Sequence, residues 1–347
     1  MSLVLPIEQW PEADRTMWSV LITEGGPLDD QGALSHLRVS TQTMLATHYG
    51  RWLGWVASAA PNALHDAPVS RASLPMIQGW LNSLANTSDT TRHMFVDSVL
   101  RILRALEPDH DWLQHRRLLL GLKRSAGRGD PARKQGCILS SAILLRAGLS
   151  YAAADPSTVR SPLKRMTRQR DGIMIALLAL LPIRRRAFCE LSLGQSVHVT
   201  DEEILVSLSE EMTKTGVPWE AAVPNQVAGP LRRYIAEVRP ALLARGNRQH
   251  DILWAGTHGE VMGQNYIGSR IGDVTLKLTG KRIPPHLFRD AAATTLSRLS
   301  PESARLIRPV LAHSGSRTAE RHYIHAQTIE AGRDYASVVQ RLKKGRP

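Results

Sequence analysis

The chain has 347 residues, 43% of them hydrophobic, with 44 Lys and Arg against 31 Asp and Glu, a formal net charge of +13. This length suits two domains rather than one, and the apolar fraction is enough for real cores. The longest apolar runs fall short of the roughly 18 residues a membrane-spanning helix needs, and the opening residues lack a basic region feeding an apolar one, so neither a membrane partner nor a secretion signal is expected. Cys137 and Cys189 are the two cysteines. They make no framework of bridges, which points to a reducing compartment and a cytoplasmic protein.

The charge is unevenly placed. Residues 1–125 carry 11 Lys and Arg against 12 Asp and Glu, a net of −1, whereas residues 126–347 carry 33 against 19, a net of +14. A basic half of this kind implies a polyanionic partner, nucleic acid before membrane.

In chain order, residues 1–30 read as a short helix or extended leader, with Trp10 and Trp18, packed on the helical domain after it. From about Ala33 the pattern turns helical: Leu45, Tyr49, Trp52, Leu53 and Val56 recur at spacings of three and four. A second helix is expected over 74–84, with a cap at Ser70–Arg71, and a third from Ser88 through Phe95, Val99, Leu100, Ile102 and Leu103 to near Pro108. The spacing thus predicts a small helical bundle over 31–123. Residues 124–136, RSAGRGDPARKQG, are Gly, Pro and charge and read as a linker.

An apolar helix over 137–155 opens the second domain, taken to run to 335. A polar, basic stretch at 158–170 precedes a buried-looking helix from Asp171 to Leu181, which Pro182 ends. Three consecutive arginines come next, Arg184, Arg185 and Arg186. Short strands are expected at 197–199, 204–208 and 222–224, with Thr213-Lys214-Thr215-Gly216 in a hairpin between the last two. Helices are then expected over 230–243 and 266–278. Arg270, Lys277, Lys281 and Arg282 are basic candidates for phosphate or groove contacts. The Gly-rich turn at Gly256, Gly259 and Gly263 lacks the pattern of a nucleotide-binding loop, and no bound cofactor is indicated.

The stretch from Pro285 to Ala326 concentrates the chemistry. His286 and Arg289 stand at i and i+3, one face of a helix, and pair a hydrogen-bonding ring with a guanidinium fork suited to a phosphate. A short helix from Arg305 to Leu311 leads to His313, and Tyr323 stands ten residues further on. A phenol attacks phosphorus once its proton is taken and the phosphate's charge is neutralised.

With these residues the chain resembles the tyrosine recombinases, the phage-integrase family of DNA strand-exchange enzymes. The family's H-x-x-R, Leu-Gly-His-like and tyrosine motifs read here as His286-Leu287-Phe288-Arg289, Leu311-Ala312-His313 and Tyr323. The family's first arginine lies just past a hydrophobic helix, which selects Arg184 and leaves Arg185 and Arg186 as phosphate contacts or solvated charges. Its catalytic lysine on the β2–β3 turn is matched by Lys214. The departures are Pro182-Ile183 for Gly-Leu, Ala187 for an acid, Ala312 for glycine, and one extra residue between His313 and Tyr323.

The resemblance implies a mainly α fold with a small antiparallel β-sheet, a helical core-binding domain followed by the catalytic domain. It implies site residues Arg184, Lys214, His286, Arg289, His313 and Tyr323, a 3′-phosphotyrosyl intermediate, and no requirement for ATP or metal. Double-stranded DNA is the implied partner, with association into a tetramer on paired sites and a nucleoid-associated location. Residues 336–347 then read as a basic tail. The short N-terminal part disfavours an arm-binding integrase and leaves a simple integrase or recombinase of a mobile element or plasmid, or a resolvase of chromosome dimers; the resemblance of the His313–Tyr323 stretch and the Arg184 region favours the mobile-element members. Two alternatives stay open: a type IB-like topoisomerase, which would relax DNA of any sequence, and a DNA-binding relative that has lost catalysis.

Overall fold

The computed structural model describes residues 3–26, 30–127, 138–153 and 159–311. Most of the expected linker, His313, Tyr323 and the basic tail therefore lie outside the described residues. The chain divides into two compact units, Met1–Asp130 and Pro131–Pro347.

The first unit is helical: α1 (Glu12–Ile22), α2 (Val39–Ala59), the single turn α3 (Pro68–Arg71), α4 (Leu74–Ser83), α5 (Asp89–Leu106) and α6 (Leu113–Ala126). All five apolar residues of the expected stripe on α2 are buried, against Val96, Val99, Leu100, Ile102 and Leu103 of α5. Trp10, Met17, Trp18 and Leu21 of the leading segment enter the same core. Ser88 caps α5, its Oγ accepting the Thr91 amide. The cap expected at Ser70–Arg71 is not one: α4 begins after Ser73, and Arg71 is buried in α3. There its guanidinium meets both oxygens of Asp14, at 2.8 and 3.0 Å, and donates to the carbonyls of Ala63, Leu64 and Asp66, while the Tyr49 hydroxyl donates to Asp14 at 2.6 Å. Helix α6 was not expected from the sequence.

In the second unit α7 (Ser141–Ala152) packs on α8 (Pro162–Leu180) backbone to backbone. A Cβ on Gly148 would lie 2.7 Å from the Gly172 carbonyl, and one on Gly172 2.5 Å from that of Gly148, so side chains larger than hydrogen do not fit. Helix α8 starts nine residues before the Asp171 expected, because Ser161 caps it and Pro162 suits its first turn. Every residue from Arg170 to Ala179 is buried. The short α9 (Arg185–Cys189) leads to β1 (Val197–Val199), β2 (Ile204–Leu208) and β3 (Trp219–Ala222), an antiparallel meander in the order β1-β2-β3. The third strand lies three residues earlier than expected, and Val223 adds one further amide bond to Ile204.

Helices α10 (Asn225–Arg233) and α11 (Arg239–Arg245) are joined through a π-helical turn at Tyr234–Val238 where one helix was expected. The Tyr234 hydroxyl, 3.0 Å from the Leu253 carbonyl and 3.1 Å from the Ala255 amide, anchors that turn on the core. Helices α12 (Gln264–Thr279), α13 (Pro285–Leu299), α14 (Pro301–Arg305) and α15 (Ile307–Val310) complete the described unit. The fold is mainly helical with a small antiparallel sheet, as the sequence led one to expect.

Candidate active site

The break after α8 decides what the three arginines do. Arg184 precedes α9 with extended backbone, φ −67° and ψ 145°, so the arginines leave the chain in different directions. Arg186 pairs with Glu190 at 2.9 Å on the exposed side of α9. Arg185 lies across Gly268 of α12, so closely that a Cβ there would come within 3.2 Å of its Nη1. Arg184 is half-buried and faces a small pocket that Arg289 of α13 also lines.

The remaining walls of that pocket come from Ile183 and Ala187, from Leu208 of β2, Met212 and Thr213 of the adjoining loop, Trp219 of β3, and Val310 and Leu311 at the end of α15. Arg289 reaches it from the second turn of α13, its two terminal nitrogens donating to the Pro182 carbonyl at 2.8 Å and the Leu311 carbonyl at 2.5 Å. Burial, and then the like charge of Arg184, push the Arg289 guanidinium down to about 10, with Asp290 acting the other way. Burial lowers Arg184 too. Both remain cations at neutral pH. Two partly desolvated cations, with no carboxylate among the residues lining the pocket, leave a positive field that an anion would relieve.

Of the other expected site residues, Lys214 is exposed in the loop 209–218 between β2 and β3, next to Thr213, which lines the pocket. His286 is exposed in the first turn of α13, one helical turn before Arg289. The structure thus brings Arg184 and Arg289 to one pocket and sets the Lys214 loop on its wall. His313 and Tyr323 lie outside the described residues, beyond Leu311.

The basic residues of 270–282 separate. Arg270 is committed to Asp171 at 2.7 Å; Asp171 also takes Arg170, which donates on to the Ala255 carbonyl at 2.8 Å. Arg282 pairs with Asp273. Lys277 stands 5.8 Å over the Tyr151 ring. Among the described residues no group of three His, Cys, Asp or Glu side chains is placed to hold a metal ion, and no helix is long and apolar enough to cross a membrane.

Sequence reasoning passed over Trp219. It is half-buried on β3, and its Nε1 donates to the Pro309 carbonyl of α15 at 3.2 Å, a contact spanning 90 residues. A lone tryptophan on a short strand reads as core, and only its place beside the Lys214 turn could have drawn attention to it.

The described fold resembles solved recombinase structures. The crystal structure of the XerH site-specific recombinase bound to difH substrate, a pre-cleavage complex, matches with a TM-score of 0.54 at 14% identity, over 94% of this chain and 98% of that one. The post-cleavage complex of XerH with a palindromic difH substrate matches with a TM-score of 0.53 at 12% identity, over 92% and 95%. At these identities the likeness concerns the fold. No curated protein sequence matches the chain. The sequence model described as the phage integrase family matches residues 157–330, half of the chain and the whole stretch from the start of α8 through Tyr323. The chain therefore belongs to the phage integrase family.

Proposed function

We propose that the protein is a site-specific DNA recombinase that cleaves and rejoins strands through a 3′-phosphotyrosyl intermediate at Tyr323. Family membership supports recombinase-type cleavage and rejoining of DNA; the residue roles are our reading. The observation that carries it is the convergence of Arg184 and Arg289 on one pocket free of lining carboxylates. Guanidinium forks match the non-bridging oxygens of a phosphodiester and stabilise the charge that builds on them as phosphorus becomes pentacoordinate. Tyr323 Oη forms the new bond to phosphorus and the bond from phosphorus to O5′ breaks. The phenolic proton leaves with the assistance of His286, Lys214 supplies a proton to O5′, and His313 donates to a phosphate oxygen. Attack by a partner strand's 5′-hydroxyl runs the same step backwards, so bond number is conserved and no external energy source enters.

In this reading the helical unit formed by 31–123 supplies a second set of DNA contacts, the segment 137–335 carries the chemistry, and the basic tail 336–347 comes after it. Pairing of two duplex sites requires a tetramer on DNA, in the nucleoid, serving integration or excision of a mobile element or plasmid.

The test uses nicked, end-labelled suicide duplexes from the DNA flanking the gene, incubated without added metal or ATP and denatured before electrophoresis. A covalent protein–DNA band is expected that disappears in Tyr323→Phe. Tight binding of the same duplexes with no covalent band would replace the reading by that of a DNA-binding relative without cleavage.

A further inference from the structure

We infer that Trp219 is a positioning residue for strand cleavage: it ties the base of the Lys214 hairpin to the end of α15 and so sets where Lys214 stands relative to the arginine pair. This rests on the reading of Lys214 as the proton donor to O5′.

Trp219 pairs with Leu208 on the last rung of the β2–β3 ladder before the loop 209–218 opens. The first half of that loop is folded on itself. The Thr213 amide donates to the carbonyls of Ser209 at 3.3 Å and Glu210 at 3.2 Å, and its hydroxyl to Glu210 at 3.1 Å. The loop therefore moves with its base. That base is fixed to the pocket by Trp219, whose Nε1 donates to Pro309 and which lines the same pocket as Arg184 and Arg289. Arg289 holds the residue that caps α15 through the Leu311 carbonyl. Two donors, one from the hairpin and one from α13, thus clasp the same short helix. Loss of the indole donor leaves the hairpin base on the β2–β3 ladder but without its tie to α15, so Lys214 can shift relative to a phosphate the arginines still hold. A displacement of about 1 Å at a proton-transfer distance costs on the order of 100-fold.

A change of leaving group isolates the effect. In an ordinary duplex the bond from phosphorus to O5′ breaks and O5′ needs a proton. In a duplex with sulfur in the 5′-bridging position the phosphorus–sulfur bond breaks and a thiolate leaves unprotonated, so Lys214 is dispensable. On the site that the wild type cleaves, Trp219→Phe, which keeps one aromatic ring and loses the N–H donor with the second ring, is expected to slow single-turnover cleavage of the phosphodiester about 10-fold, and Trp219→Ala about 100-fold, each within about 3-fold of wild type on the sulfur substrate.

Equal slowing of Trp219→Phe on both substrates, or no slowing on either, overturns the inference, and this variant decides even if Trp219→Ala does not fold. The Lys214→Ala control separates the two layers. If sulfur does not rescue it, Lys214 is not the acid and the role of Trp219 falls while the tyrosine chemistry stands. If the wild type itself forms no adduct on either duplex, the reading of the reaction fails and takes this one with it.

Discussion

Both terminal nitrogens of Arg289 already donate to backbone carbonyls, Pro182 on one side and Leu311 on the other, and the residue is also proposed to hold a phosphate oxygen. A guanidinium can do both because it presents five N–H donors in a fixed plane, of which the two carbonyls take two. An ammonium presents three donors from one point and cannot span two carbonyls and an anion together. Arg289→Lys is therefore expected to keep the charge and fold but lower single-turnover cleavage by about 100- to 1,000-fold, the range seen when one donor to developing charge is removed. Adduct formation against time, with a thermal melt beside it, checks this. Near-wild-type cleavage would mean that charge alone, not the planar fork, is what the site needs. Arg184 is less constrained, since the structure gives it a half-buried place at the start of α9 and no acid on the pocket wall.

At the scale of elements, what the sequence disclosed tracks how each element is stabilised. Helix α2 was legible because a strong apolar stripe is what buries it, and α5 because Ser88 announces its start. Helix α6 was not, since only His115 and Leu119 are buried along it and its remaining leucines are exposed or only partly buried. The early start of α8 was missed because a basic first half resembles a loop when the Ser161 cap is not weighed. Arg71 shows the limit most clearly: beside Ser70 it suggests a cap, but its actual partner is 57 residues away, and tertiary pairing of that range leaves no local mark. Asp14, Arg71 and Tyr49 form a fully buried, hydrogen-bonded group in the first unit. Removing one member strands the others, so Arg71→Met is expected to destabilise that unit by about 3–5 kcal/mol. Combining it with Asp14→Asn should cost less than the sum by at least about 1 kcal/mol in urea melts followed by tryptophan fluorescence. Additive costs would show that the carboxylate and guanidinium do not depend on each other.

For the whole molecule the sequence already located the positive charge: nearly neutral through residue 125, strongly basic beyond. The order Arg184, Lys214, His286, Arg289, His313, Tyr323 is likewise a reading of residue types and intervals in the sequence, and of it the described residues bring Arg184 and Arg289 to one pocket. What it could not supply was which cations are free to meet DNA, since that depends on partners brought from distant elements. Arg270 is held by Asp171 99 residues away, and Arg186 by Glu190 on its own helix, whereas Arg184 faces a pocket without acids. The surplus should therefore act through a subset of residues. If it contacts about five phosphates or more, the logarithm of the association constant for duplex DNA falls against the logarithm of salt with a slope of about −4 or steeper. Arg184→Gln should flatten that slope by about one unit, as expected for losing one phosphate contact, whereas Arg270→Gln should leave it unchanged and lower the melting temperature instead. Anisotropy titrations of a labelled duplex at several salt concentrations, run below the melting point of each variant, make the comparison. A shallow slope in the wild type, or a slope that responds to Arg270→Gln and not to Arg184→Gln, would put the DNA on a different face from the one the arginine pocket marks.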